Sequence, residues 1–226
     1  ALGYIARAIS RLEKHPFPTA YTYVPRHMFR AIGPCFPLHY RIILANLWLF
    51  KPLFLRLLSG EGASNAMIRT TMAATMAEGS SAANVLAAEA KATINLRLMT
   101  GTSSDEAVRR IRAVIQDPAI TVTKLLVNEP SNITPITGIP FSLLREAVYQ
   151  HFPNCVVAPY LMLGGTDAIK YEGICSHILR FSPIHVHADE LKRVHSYNER
   201  ISVENIRKAV EFFCCIIPRF DLGLDE

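Results

Sequence analysis

The stretch that most constrains the fold is "AKATINLRLMTGTSSDEAVRRIRAVI", residues 90–115. Its first part alternates. Ala90, Ala92, Ile94, Leu96 and Leu98 share one face, and Lys91, Thr93, Asn95 and Arg97 share the other. Side chains on a strand alternate between two faces, so this is a half-buried antiparallel strand. Its second part changes period. Val108, Ile111 and Ile115 form a helical stripe, Ser103 or Ser104 can cap the helix, and Asp105 and Glu106 favour its positive end. A strand with one apolar face, running directly into an amphipathic helix, lays that helix on the sheet.

The neighbouring segments extend this unit. "AMIRTTMAATMAEG" (66–79) is loosely alternating and predicts a strand, as does "ITVTKLLV" (120–127). The order strand, strand, helix, strand predicts an antiparallel sheet with helices on one face. Residues 1–16 predict a helix with Leu2, Ile5, Ile9 and Leu12 on its apolar side, and with no capping residue ahead of it. Residues 16–40 carry Pro16, Pro18, Pro25, Pro34 and Pro37 and predict irregular structure with short helical turns. Residues 41–58 predict a helix kinked or split at Pro52. After the turn-rich "NEPSNITPITG" (128–138), the best domain boundary, a second block begins. It predicts a helix over 141–152, strands over 155–163 and 176–184, and a long helix over 202–217 capped by Ser202. The class is mixed: α+β in the first block, α/β in the second.

Composition narrows the function. The net charge is +5, but Lys and Arg are scattered, which argues against nucleic acid as a partner. "IILANLWLF" (42–50) falls far short of the roughly 20 apolar residues that a membrane span needs. It reads as a buried or partner-facing helix, with a membrane-surface helix as the alternative. The five cysteines form no C-x-x-C pair; their odd count and wide spacing argue for a reducing compartment over a disulfide framework. No G-x-S-x-G, P-loop or G-x-G-x-x-G occurs.

Three segments could carry chemistry. "LMLGGTDA" (161–168) places Gly164, Gly165 and Thr166 ahead of a helix, where free backbone N–H groups can hold a carboxylate or oxyanion. An ordinary turn with Asp167 as first-turn acid uses the same residues. "SPIHVHADELKRVHSYNER" holds His185, His187 and His195, which are either metal ligands or surface histidines. Asn84 and Arg97 form the third set, since an arginine on the polar strand face can fork onto a carboxylate.

In order along the chain, "NAMIRTT", "NVLAAEAKATINLRLMTGTSSDEAV", "LGGTDA", "RFSPI" and "RVHSYNERIS" resemble the zinc aminoacylase and carboxypeptidase superfamily, peptidase family M20. The resemblance is strongest to the carboxypeptidase S branch, and "SRLEKHPFPT" with "LANLWLFKPLFLRLL" resembles the helical insertion of that branch. It implies a hydrolase of the amide bond in N-acyl amino acids or small peptides with a free carboxylate. It implies two zinc ions in the complete enzyme and a homodimer made through a lid domain. Residues 1–135 match the lid, with the insertion at about 20–60, and residues 136–226 match the C-terminal part of an α/β zinc-hydrolase catalytic domain.

The resemblance makes His195 a zinc ligand, and Gly164, Gly165 and Thr166 a substrate-holding turn. Asn84 and Arg97 become lid residues that bind the substrate carboxylate, and Glu199 a capping or supporting residue. This sequence also departs from the family. The first H-x-D, the bridging aspartate, the Glu-Glu pair with the general base and a further acidic ligand are absent, and Ser196 replaces a glycine. His187 and Asp189 have H-x-D spacing at the wrong place in the order. Such a chain is expected to be inactive alone. The alternative is a non-catalytic binding or dimerisation protein built on the lid fold.

Overall fold

The alternating strand and the capped helix organise the first of two units, which divide between Asn132 and Ile133. The computed structural model describes residues 1–60 and 62–222. In the first unit, β1 (Thr71–Glu78) pairs antiparallel with β2 (Lys91–Arg97). Ile94, Leu96 and Leu98 pack on a buried cluster of Ala8 and Leu12 from α1 (Leu2–Lys14), Phe17, and Ala107, Ile111 and Ile115 from α6 (Ser104–Ile115). Both helices therefore cover one sheet face, as the strand's alternation requires. Ser103 caps α6 through a capping box with Glu106.

A bulge between Ala74 and Met76 explains why β1 alternates loosely. The extra residue reverses the facing of the second half of the strand, so Met72 packs on the core while Met76 is exposed. The strand is also shorter than 66–79, because α5 (Gly62–Ile68) occupies its start.

The proline-rich stretch is more helical than its composition indicates. It forms α2 (Tyr23–Ile32), a 3-10 turn (Gly33–Cys35) and the start of α3 (Leu38–Ala45). Pro25 lies in the first turn of α2, where its missing N–H has no intrahelical partner to lose. The next helix breaks at Asn46, not at Pro52, giving α3 and α4 (Leu47–Leu58). The Asn46 side-chain amide donates to the Ile42 carbonyl at 2.9 Å, and its own carbonyl accepts from Leu49 and Phe50, so it ends one helix and opens the next. Pro52 lies on the exposed side of α4 with Trp48, and the helix continues through it. Phe54 anchors the other side of α4 edge-on against Phe29 (5.0 Å) and Tyr21 (5.7 Å).

The second unit is built on α7 (Ile139–His151) and α9 (Val203–Leu222), with the single-turn α8 (Ala188–Leu191) between them in sequence. Ala147, Val148, Phe212 and Ile216 are buried between α7 and α9. Asn205 N–H donates to the Ser202 hydroxyl at 3.1 Å, which caps α9 as expected. Among the described residues the sheet has only β1 and β2. The strands expected over 120–127, 155–163 and 176–184 run without regular structure. Their apolar side chains still pack: Ile120 and Val122 on the first core, Cys155 and Val157 on the second. What they lack is a ladder partner, and a strand exists only through one.

Candidate functional site

The polar face of β2 ends at Arg97, opposite Thr71. The chain leaves β2 under restraint, since buried Thr70 accepts the Met99 N–H on its hydroxyl at 3.0 Å. Asn84 lies exposed in the loop joining Glu78 to Lys91. Within this unit the two residues assigned to carboxylate binding belong to different segments, one in the β1–β2 loop and one at the far end of β2.

The first unit also has a polar cleft of ≈ 460 Å³ between α6 and the extended segment after it, lined by Arg109, Arg112, Val122 and Lys124 among others. Arg112 donates to the Val122 carbonyl at 3.0 Å, and Asp105 and Lys124 serve the helix start. Lys124 pairs with Asp105 at 2.8 Å and donates to Ser104 Oγ at 2.7 Å, while Ser104 N–H donates to both carboxylate oxygens of Glu129 (3.3 and 3.0 Å). Hydrogen bonds from Ser104 hold the Glu129 carboxyl below its ordinary range, and the hydrogen bond and charge of Lys124 do the same to Asp105. This is the chemistry of a satisfied helix N-terminus.

In the second unit, Gly164, Gly165 and Thr166 precede a 3-10 helix, Asp167–Tyr171. That helix is too short to present a helix dipole to an anion. A side chain added at Gly165 would meet open space, so this turn does not need glycine for close packing. The Thr166 hydroxyl accepts from Arg180 Nε at 3.2 Å, and Arg180 also pairs with Glu172 at 3.6 Å in a half-buried setting. Arg180 thus ties the turn to "RFSPI", a role that sequence reasoning missed. Its signal was a charge inside an otherwise apolar extended segment.

His195 lies exposed in a turn with a left-handed backbone (φ 59°), as does Asn198 (φ 60°). Histidine and asparagine tolerate this conformation better than most residues. Upstream, the His185 and His187 rings meet edge-on at 4.5 Å. The Asn205 side chain grips the His185 backbone twice, at 3.0 and 2.8 Å, fixing this segment to α9. The side chain of Asp189 lies outside the described residues. Glu199 is exposed ahead of α9, and the capping role falls to Ser202 instead.

A catalytic zinc takes three protein ligands. Among the described residues no group of three or more His, Cys, Asp or Glu side chains could hold a metal ion. The donors present do not by themselves fit a zinc centre.

A family model of the M20 peptidase dimerisation domain matches residues 1–123. The probable carboxypeptidase S-like 2 of Dictyostelium discoideum is 35% identical over 218 residues, covering 96% of this chain and 42% of that protein. An N-fatty-acyl-amino acid synthase/hydrolase of Xenopus tropicalis is 31% identical over 223 residues, covering 98% of this chain and 44% of that protein. Carboxypeptidase S of Saccharomyces cerevisiae is 25% identical over 186 residues, covering 69% of this chain and 32% of that protein. The chain spans less than half the length of these curated relatives. No solved structure matches it.

Proposed function

Because the chain belongs to the M20 peptidase family, near its carboxypeptidase S branch, we propose that it is one part of a zinc-dependent hydrolase cleaving the amide bond of N-acyl amino acids or small peptides. Membership of a family of peptidases and hydrolases supports the reaction class. The match of the dimerisation domain to residues 1–123 carries the reading and fits homodimer formation. Residues 1–135 act as the lid, and residues 136–226 contribute the end of the catalytic domain.

In this assignment His195 supplies one zinc ligand, presented from an exposed turn. Gly164, Gly165 and Thr166 border the substrate, with Arg180 positioning Thr166. Asn84 and Arg97 receive the substrate carboxylate; an arginine suits that task because its planar fork matches a carboxylate. When bound in the complete enzyme, zinc would polarise the scissile carbonyl and acidify a water. The remaining ligands and the general base belong to the portion of the relatives that this chain does not span. The chain alone is therefore inactive.

Zinc content by elemental analysis, with hydrolysis of an N-acyl amino acid followed by chromatography, tests this. We expect no stoichiometric zinc and no turnover from these 226 residues; stoichiometric zinc with turnover overturns the proposal. The specificity of the family match for a dimerisation domain favours one second reading, a non-catalytic dimerisation protein. Co-expression with the N-terminal half of a relative separates the two, since only the hydrolase reading expects activity to return and to be lost in His195→Ala.

A further inference from the structure

The hairpin of α3 and α4 is anchored on one side and bare on the other. Phe54 is buried against Phe29 and Tyr21, yet Leu49, Leu53 and Leu57, spaced four apart on a single face of α4, are about half exposed. At the tip, where Asn46 joins the helices, Trp48 is 82% exposed and Ile42 is 49% exposed. An apolar tip of this kind, contiguous and carrying a tryptophan, marks an interaction surface.

Charge identifies the occupant. From Lys14 to Gly60 the sequence contains no Asp or Glu, while it carries Arg26, Arg30, Arg41, Lys51 and Arg56. Arg41, Lys51 and Arg56 are exposed on the same hairpin as the apolar tip. A protein partner for such a face would be apolar with an acidic rim. A bilayer containing anionic lipid offers both features over an extended plane. Trp sits well at the headgroup level, and Lys and Arg keep their charge there while their stems lie along apolar surface. No helix among the described residues is long and apolar enough to cross a membrane, so the hairpin would lie on the surface. We propose that the α3–α4 hairpin docks this chain onto the surface of an anionic lipid bilayer, with Trp48 and Leu49 entering the headgroup boundary and Arg41, Lys51 and Arg56 meeting lipid phosphates and carboxylates.

Trp48 is the sole tryptophan of the chain, so its emission reports the tip alone. The experiment titrates the unaltered chain with phosphatidylcholine vesicles with and without phosphatidylserine, reading co-sedimentation, Trp48 emission and quenching by brominated lipid. With phosphatidylserine present, the chain should co-sediment, emission should move to shorter wavelength, and brominated lipid should quench it. Added salt should weaken all three effects. Neutralising all three in Arg41→Gln, Lys51→Gln and Arg56→Gln should weaken binding about 100-fold, since each basic residue near an anionic surface adds roughly a five-fold gain. Trp48→Ser, at an exposed position, should weaken binding while leaving helical circular dichroism unchanged. The proposal is overturned if the unaltered chain fails to bind, or if it binds neutral and anionic vesicles equally. It is also overturned if Trp48 is already shielded without lipid in a concentration-dependent way, which would assign the face to a second copy of the chain.

Discussion

The two units solve the same problem with unequal success. In the first, the apolar face of β2 finds α1 and α6, and each end of α6 is closed: Ser103, Glu106 and Glu129 at its start, the Arg11 guanidinium on the Ile115 carbonyl at its end. In the second, α7 and α9 bury Ala147 and Phe212 completely, while residues 155–163 and 176–184 run without regular structure and with no ladder. Local signals build a helix pair anywhere, but a strand needs a neighbour from elsewhere in the sequence. The unit with its own ladder can hold its polar residues on a frame. The unit without one holds His195 and the Gly-Gly-Thr turn on loops.

The largest test of this contrast is Phe212→Ala. Phe212 is 1% exposed and touches His151 (5.3 Å) and Phe181 (5.3 Å), so it joins the helix pair to one of the unpaired segments. The substitution should cost roughly 3–5 kcal/mol. Hydrogen exchange should then accelerate throughout α7 and α9 while the amides of β2 keep their protection. Equal acceleration in β2 would show that the units fold as one, and the comparison would fail.

Ser103→Ala should act in the opposite unit and by less, about 1 kcal/mol, the usual worth of an N-cap. Its effect should reach β1 and β2 through Ile111, which α6 presses against the sheet, and leave α9 untouched. A thermal melt combined with residue-resolved exchange reads both points, and a loss confined to the first turn of α6 would mean that the cap is not coupled to the sheet.

The same division governs how much was legible. A Ser103 or Ser104 cap, the β2 alternation and the Ser202 cap are written within a few residues of where they act; the structure takes Ser103 for the first and adds Glu106 as its box partner, and it has the other two where the sequence puts them. Pro25 misleads because a proline that breaks a helix from inside also begins one. The unpaired segments mislead because β-propensity describes a surface that fits a sheet and says nothing of whether the neighbour is there. Around the candidate site, residue types were legible but placement was not. Nothing local marks the grip of Asn205 on His185 or the reach of Arg180 to Thr166, since each joins residues that the fold brings together.

The smallest effect concerns Glu129, which closes the start of α6 from 25 residues away. Hydrogen bonds from Ser104 lower its pKa from the ordinary 4.5. A carboxyl lowered on folding adds stability that is present above its unfolded pKa and is lost as pH falls through the folded value. Glu129 is well exposed to solvent, so the contribution is small and screened. Glu129→Gln keeps an acceptor for Ser104 N–H but removes the charge that favours the helix N-terminus. Its melting temperature should therefore lie slightly below that of the unaltered chain at neutral pH, and the two curves should converge in acid as Glu129 takes up its proton. Asp105, lowered by Lys124, faces Glu129 and opposes its ionisation, so Asp105→Asn beside Glu129→Gln separates the two carboxyls. A gap that persists unchanged into acid would place the effect of Glu129 in packing, and the N-terminus of α6 would then owe its closure to Ser103 and Glu106 alone.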